Sequence, residues 1–213
     1  MFKFHRKLLS FENYNLIYTA WTVFGVYNFY FWRQVFAVVT LPVFFFLLLG
    51  AFLLMMILHA LVFHPKTVKP LSILLLLTNA LASYFINMYH LVLNKTMLAN
   101  VLDTNFVEAT EWMGVAFWMY ILAFGVIPAW LVLRLNIQFS SIKKRCLTVV
   151  VPMVCLIMLL SIFIPYKDTV KVALKTHFNL RYQFVPTGYV SACVSLVKYS
   201  FKKGMTLLGP VVL

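Results

Sequence analysis

The chain has 213 residues, of which 63% are hydrophobic and 11% are charged, and its mean hydropathy is +0.93. Soluble domains are about 45–50% apolar and about 25% charged, so a water-soluble fold is excluded: there is too little polar surface to cover it. The formal net charge of +13 suits nucleic acid or anionic lipid as a partner. We favour lipid, because the chain has no polar domain of the kind that nucleic-acid-binding proteins use.

Five apolar stretches meet the length of about 20 residues that a helix needs to cross the hydrocarbon core. The predicted spans are 14–32, 35–63, 71–93, 113–133 and 146–166. They predict an all-α membrane protein, with a five-helix transmembrane domain over 1–166 and periplasmic amphipathic helices over 167–213. Pro42, Pro128 and Pro152 fall inside spans, where neighbouring helices can satisfy the carbonyls that a proline frees.

The distribution of Lys and Arg near the span ends predicts the orientation. One side of the membrane receives most of them: Lys3, Arg6, Lys7, Lys66, Lys69, Arg134, Lys143, Lys144 and Arg145. The first and third connections on the other side carry one each, Arg33 and Lys95. We therefore expect a multi-pass protein of a bacterial inner membrane, with a cytoplasmic N-terminus and a periplasmic C-terminus.

The third connection contains a candidate binding stripe. Helical periodicity places Asn100, Thr104 and Glu108 on one face, at i, i+4 and i+8. A short helix at the periplasmic surface would then offer an amide, a hydroxyl and a carboxylate in a row. Such a trio suits a zwitterionic lipid head group, and the alternative is a solvated loop helix with a polar face.

A second polar stripe lies within the third predicted span. Asn79, Ser83 and Asn87 recur every four residues and His90 follows, so this face must meet protein or water rather than lipid. Hydrogen bonds between helices, worth about 0.6 kcal/mol each in membranes, are the favoured interpretation. The alternative is that Ser83, Asn87 and His90 line a cavity for a head group.

The segment after the fifth predicted span is basic and amphipathic. Lys167, Lys171 and Lys175 share one helical face, which is typical of an interfacial helix. We take these lysines and Arg181 as candidate contacts to anionic lipid. An ordinary basic surface helix is the equal alternative.

The sequence contains no recognisable catalytic or metal-binding motif. H-E-x-x-H, a Gly-rich phosphate loop and G-x-S-x-G are all missing, and Cys146, Cys155 and Cys193 form no C-x-x-C pair. We therefore predict no catalytic residue, no metal site and no cofactor in this chain.

Four motifs in a fixed order carry a family resemblance. They are Ala82-Ser83-Tyr84-Phe85 followed by Tyr89, M-x-x-N-x-x-x-T-x-x-x-E from Met97 to Glu108, Tyr166-Lys167-Asp168, and H-x-x-L-R-x-x-x-x-P from His177 to Pro186. Over its whole length the chain resembles the N-terminal membrane domain of lipid A phosphoethanolamine transferases, the family that includes the mobile colistin-resistance enzymes. It departs at Gly188, where members usually have asparagine.

The resemblance implies that a membrane part and a soluble catalytic domain have separate roles. Family members have five spans, a periplasmic helix and an alkaline-phosphatase-like domain with zinc and a threonine nucleophile. The threonine moves phosphoethanolamine from phosphatidylethanolamine to a lipid A phosphate, a modification linked to polymyxin resistance. The resemblance assigns Asn100, Thr104 and Glu108 to binding of the lipid head group.

The segments that would perform the transfer are missing from these 213 residues. They include the G-E-T nucleophile and the zinc ligands. We therefore expect a non-catalytic piece: a truncated gene product, an engineered fragment or a free-standing membrane half. Its expected partners are phosphatidylethanolamine, lipid A and the membrane, and not nucleic acid.

Two other classes of protein stay open. A small transporter or channel would use the polar stripe of the third span as a path, although no predicted span carries the Asp, Glu, Lys or Arg that marks an ion route. A membrane scaffold would need no ligand.

Overall fold

A computed structural model describes residues 8–103, 113–164, 180 and 182–207, except for the side chains of 102, 103 and 200–207. This part of the chain is mostly helical, as predicted. The helices are α1 (Phe11–Phe24), α2 (Phe29–Val38), α3 (Leu41–Val62), α4 (Val68–Tyr89), α5 (Lys95–Asp103), α6 (Val115–Arg134), α7 (Ile142–Phe163) and α8 (Thr187–Leu207). Two short strands, β1 (Leu8–Ser10) and β2 (Asn136–Gln138), were not predicted.

Among the described residues, four helices are long and apolar enough to cross a membrane. They are α3, α4, α6 and α7, with mean hydropathies between 1.6 and 2.8. α3 and α7 are the least enclosed of the four, because only 17% and 11% of the residues in their most apolar stretches are buried within the protein. The chain is thus a helical integral membrane protein, and a fifth crossing by the first segment stays a prediction.

The first predicted span, 14–32, is not one continuous helix. α1 ends at Phe24, and a 3-10 turn over Val26–Asn28 follows before α2 begins. The break is at Gly25, where an added Cβ would lie 2.2 Å from the Trp21 carbonyl oxygen. Only glycine fits against that carbonyl, and helical periodicity alone gave no sign of it.

Three carbonyls around this break accept hydrogen bonds from side chains. Helix ends leave carbonyls without helical partners, and in lipid no water can satisfy them. The Thr22 carbonyl accepts from Asn28 Nδ2 (2.8 Å) and the Val23 carbonyl from Trp32 Nε1 (2.7 Å). The Val26 carbonyl accepts from Asn87 Nδ2 (2.8 Å) and also from the Phe29 N–H. The bundle therefore stabilises the break with hydrogen bonds from its own side chains.

The second predicted span, 35–63, is also divided. α2 ends at Val38, and Val39 and Thr40 are extended before α3 begins at Leu41. Pro42 lies in the first turn of α3. The N–H groups of a first turn have no acceptor within the helix, so the missing N–H of proline costs no hydrogen bond there. Pro42 thus lies inside a span, as predicted, but in its first turn, where it helps to start the helix.

Pro128 lies inside α6, as predicted, and the bundle compensates for it. A proline has no N–H to give to the carbonyl four residues earlier, which is that of Phe124. The Tyr27 hydroxyl donates to this carbonyl. α6 widens here into a π-helical turn over Leu122–Val126, and Gly125 lets it approach α4 closely.

The side-chain contacts define two ends of the bundle. Near the start of α4, Ser72 Oγ accepts from the Tyr14 hydroxyl at 2.6 Å. Near the end of α4, Asn87 Nδ2 donates to the Val26 carbonyl. α1 and the 3-10 turn therefore run parallel to α4 over most of its length.

We call one end of the bundle the basic end. It contains β1, which pairs in parallel with β2 in the register Leu8–Asn136, and it contains the loop 63–67, since Phe63 packs on Tyr14 and Tyr18. Six residues of the predicted basic side lie here, Lys66, Lys69, Arg134, Lys143, Lys144 and Arg145, whereas Lys3, Arg6 and Lys7 lie outside the described residues. We call the other end, which contains Asn28, His90 and Val185, the distal end.

The C-terminal segment docks on the broken first segment at the distal end. Asn28 Oδ1 accepts from the Val185 N–H at 2.7 Å, and Asn28 Nδ2 donates to the Val185 carbonyl at 3.0 Å. Phe184 packs on Phe31 and Trp32. An added Cβ at Gly188 would lie 2.4 Å from the Tyr182 carbonyl oxygen, so the backbone here has no room for a side chain.

We expect Asn28→Ala to release the C-terminal segment. The variant leaves the Thr22 carbonyl and both backbone groups of Val185 without their partner, and each unpaired buried group costs about 1–3 kcal/mol. The thermal unfolding midpoint in detergent should fall, and limited proteolysis should cut the segment 180–186 faster. Asn13→Ala is the control, because Asn13 is exposed near the start of α1. Equal midpoints and cleavage rates for the two variants would contradict the docking role.

Candidate functional site

The surface of the distal end is shaped by the way α4 stops. Its C-cap, His90, has φ 56, a left-handed conformation that histidine adopts more readily than most residues. The His90 N–H donates to the Ile86 carbonyl at 3.0 Å, and its ring stacks on Tyr30 with centroids 4.2 Å apart. This turn directs the chain away from the bundle and into the third connection.

A helix is present in that connection. Asn94 caps α5, because its Oδ1 accepts a hydrogen bond from the Met97 N–H at 2.9 Å, as short polar side chains do at helix starts. α5 packs against α8, and Lys95 Nζ lies 4.1 Å from the centre of the Tyr199 ring, a cation–π contact. The C-terminal helix thus covers one side of α5.

The predicted head-group stripe is only partly within the described residues. Asn100 lies on the exposed side of α5. Thr104 and Glu108 lie outside the described residues, as do Lys167, Lys171, Lys175 and Arg181. Their assignments to lipid binding stay predictions.

The polar stripe of the third span joins α4 to three other segments. Asn87 Oδ1 accepts from the Tyr30 N–H at 3.1 Å, and Asn87 Nδ2 donates to the Tyr120 hydroxyl at 3.0 Å. Ser83 Oγ is 3.0 Å from the same hydroxyl. Asn79, one turn earlier, accepts from Tyr189 Oη at 2.9 Å.

The structure brings two of the three candidate cavity residues together. Ser83 and Asn87 meet at Tyr120, buried or half-buried between α4 and α6, whereas His90 is exposed and lies on Tyr30. A cavity role for the three stays a prediction.

A further buried polar group was not recognised from the sequence. Asn15, Thr19 and Thr22 follow one face of α1 and are all at most 1% exposed. Asn15 Nδ2 donates to the Met56 carbonyl at 3.0 Å, and Thr19 Oγ1 lies 2.9 Å from His59 Nδ1. The spacing i, i+4, i+7 within an apolar stretch was the available signal.

The described residues do not fit zinc. Within them, no group of three His, Cys, Asp or Glu side chains is close enough to hold a metal ion. Cys146, Cys155 and Cys193 are free thiols. No step of chemistry is therefore assigned to a metal in this part of the chain.

These features define a class: a helical integral membrane protein with polar bonds between its spans and a capped surface helix at one end. The family model described as phosphoethanolamine transferase EptA/EptB matches residues 51–201. Since the match covers more than half of the chain, the protein belongs to this family.

Individual relatives agree with the family match. The chain is 28% identical over 159 residues to phosphatidylethanolamine transferase Mcr-2 of Escherichia coli, covering 73% of this chain and 28% of that protein. It is 36% identical over 78 residues to phosphoethanolamine transferase EptA of Helicobacter pylori, covering 37% of this chain and 15% of the relative. It thus spans less than a third of the length of these relatives.

The fold matches a solved membrane enzyme. Lipooligosaccharide phosphoethanolamine transferase A from Neisseria meningitidis superposes with a TM-score of 0.79 at 21% identity. The match covers 92% of this chain and 37% of that one. At this identity the likeness concerns the fold.

We expect Asn87→Ala to loosen the contact between α2, α4 and α6. The variant loses hydrogen bonds to the Val26 carbonyl, the Tyr30 N–H and the Tyr120 hydroxyl. At about 0.6 kcal/mol per bond, unfolding should become easier by about 2 kcal/mol.

Steric trapping in bicelles can measure this loss. Ser161→Ala is the control, because Ser161 is exposed and its hydroxyl bonds only the Ile157 carbonyl within its own helix. An Asn87→Ala loss no larger than that of the control would argue against a joining role for Asn87.

Proposed function

We propose that this chain is the membrane domain of a phosphoethanolamine transferase and that its distal end binds the phospholipid that donates phosphoethanolamine. The observation that carries this proposal is the position of α5. This capped helix follows the His90 turn and packs against α8, and Asn100 lies on its exposed side. The family match, which includes α5 and most of α8, supports it.

The chemistry of the proposed site follows from the head group. Phosphatidylethanolamine carries an ammonium that suits the Glu108 carboxylate, and phosphate oxygens that suit the Asn100 amide and the Thr104 hydroxyl. Hydrogen bonds to charged partners contribute about 1.5–3 kcal/mol each, enough to select this head group among neighbouring lipids. The membrane part would thus hold the donor close to the bilayer surface.

The distal end is periplasmic in this proposal. Short loops rich in Lys and Arg stay in the cytoplasm, and the basic end has that character. α1 and the 3-10 turn would form the fifth crossing, since 14 residues of α-helix and three of 3-10 helix rise about 21 Å and about 6 Å, close to the core thickness of about 30 Å. The membrane is then a bacterial inner membrane.

The transfer itself requires more than these residues. A soluble domain with zinc and a threonine nucleophile would take phosphoethanolamine from the bound lipid and pass it to a lipid A phosphate. The role of this chain is to anchor that reaction and supply its donor. A transport function is less well supported, because the polar side chains of α4 bond to neighbouring helices rather than to one another along a path.

We expect Glu108→Ala to weaken phosphatidylethanolamine binding about tenfold or more, because the lipid ammonium loses its anionic partner. Native mass spectrometry of the purified chain with added lipid measures this loss. Glu108→Asp keeps a carboxylate and should retain most of the binding. If Glu108→Ala binds this lipid as well as the natural chain does, the head-group role is wrong.

We also expect replacement of Lys167, Lys171 and Lys175 by Gln to reduce the enrichment of anionic lipid around the protein. Each lysine near an anionic surface is worth about 1 kcal/mol. The fraction of spin-labelled phosphatidylglycerol that the reconstituted protein immobilises reports this enrichment. The difference should shrink at high salt, since exposed charges are screened within about 8 Å at physiological ionic strength; a difference that salt leaves unchanged would exclude the electrostatic account.

A further inference from the structure

A groove lies at the basic end, where α7 packs on α3. Its volume is about 310 Å³, at the lower edge of the range of about 300–1,000 Å³ that small-molecule pockets occupy. The wall formed by α7 runs from Lys144, near the start of that helix, to Pro152. At the rise of an α-helix, these two residues lie about 12 Å apart along the axis. The groove therefore follows α7 from the end of the bundle toward its middle.

The surface inside the groove is apolar and open to the bilayer. Met56 of α3 lines it together with Leu147, Val151 and Pro152 of α7. Leu147 and Val151 are 56% and 52% exposed, so the described part of the chain does not cover them. Exposed side chains at this depth of a spanning helix meet hydrocarbon. A lipid acyl chain can thus enter the groove from the side without passing a polar group.

The polar side chains beside the groove are bonded within the protein or shielded. The Thr148 hydroxyl donates to the Lys144 carbonyl at 3.0 Å. Glu12 Oε2 accepts from the Ser140 hydroxyl at 3.1 Å, and Glu12 Oε1 has no exposed surface. The groove therefore suits the CH₂ groups of a lipid chain, and the head group of a lipid bound there must lie outside its mouth.

The mouth of the groove is basic. Lys143 and Lys144, in the first turn of α7, are exposed, and Lys144 also lines the groove. Lys144 acts on the Glu12 carboxyl through its charge and not through a hydrogen bond. The next residue, Arg145, packs over Phe139, with 5.3 Å between the guanidinium carbon and the ring centre. Two exposed ammonium groups thus lie beside the apolar groove at the membrane surface.

We propose that the groove and these two lysines bind an anionic phospholipid, phosphatidylglycerol, from the leaflet at the basic end. The lipid phosphate lies between the ammonium groups of Lys143 and Lys144, and one acyl chain lies in the groove along Leu147, Val151 and Met56. This site is at the opposite end of the bundle from the proposed head-group site and goes beyond the proposed function. It gives the membrane domain a preferred lipid in each leaflet.

Charge complementarity favours an anionic lipid here. The basic end has six described cations, and Glu12 is the one acidic residue among its described residues. Basic pockets between transmembrane helices bind anionic head groups, whereas phosphatidylcholine and phosphatidylethanolamine carry an ammonium that lysines repel. Clustered lysines also attract anionic lipid diffusely, but only a groove holds the acyl chain at one place. The position of the chain therefore distinguishes a bound lipid from diffuse attraction.

Photo-crosslinking of the full chain in phosphatidylcholine nanodiscs tests the proposal. The probe is phosphatidylglycerol with a diazirine in one acyl chain, and mass spectrometry locates the labelled peptides. We expect labelling within residues 147–152 that unlabelled phosphatidylglycerol suppresses and phosphatidylethanolamine does not. Lys143→Gln and Lys144→Gln should each lower this labelling about fivefold, the factor that one lysine contributes near an anionic lipid surface.

Matched variants separate a bound lipid from general attraction. Arg134→Gln removes the same charge from the basic end, but at the end of α6, which packs on α4, and should leave the labelling nearly unchanged. Val151→Trp fills the groove and should abolish the labelling without altering a charge. Ile157→Trp, at an exposed position of α7 outside the groove, should leave it intact.

Glu108→Ala should also leave this labelling intact, so failure of the distal site is visible by itself. Equal competition by the two unlabelled lipids would overturn the proposal and leave an annular lipid only. Equal losses in Lys144→Gln and Arg134→Gln, or undiminished labelling in Val151→Trp, would overturn it as well.

Discussion

The architecture depends on the satisfaction of backbone carbonyls where helices break inside an apolar environment. Gly25 ends α1 in the middle of a segment that would otherwise continue, and the Thr22 and Val23 carbonyls beside it lose their helical donors. Asn28 and Trp32 supply the replacements, and Asn87 adds a hydrogen bond to the Val26 carbonyl. Because these donors come from three different places along the chain, the break joins α1, α2 and α4 into one unit.

Two asparagines hold most of this unit together. Asn28 connects the break to the backbone of Val185, and Asn87 connects it to Tyr30 and Tyr120. Each amide has donors and an acceptor, so one side chain can bond several segments at once. The position of the C-terminal segment therefore follows from the same constraint that stabilises the broken helix.

This arrangement explains how the surface of the distal end is built from segments that are distant in the sequence. The 3-10 turn, the left-handed His90 turn and the segment around Val185 all meet there, and α5 and α8 lie over them. Binding sites benefit from such support, because a group held in place loses less entropy when a ligand arrives. In the proposed function this surface receives the donor lipid, whereas the basic end, with its strands and lysines, stays on the other side of the membrane.

What could be deduced without the structure was set by composition and periodicity. Low charge and long apolar stretches identified a helical membrane protein, the four-residue spacing of Asn79, Ser83 and Asn87 identified a face that must avoid lipid, and ordered motifs indicated the family. Tertiary structure alone decided that Gly25 and Val39–Thr40 interrupt predicted helices and that β1 pairs with β2. It also decided which atoms bond the carbonyls freed by the Gly25 break and by Pro128. The physical reason is range: hydropathy and spacing act within one helix, whereas a hydrogen bond such as Asn28 to Val185 joins residues 157 positions apart, and no local pattern records the distance between them.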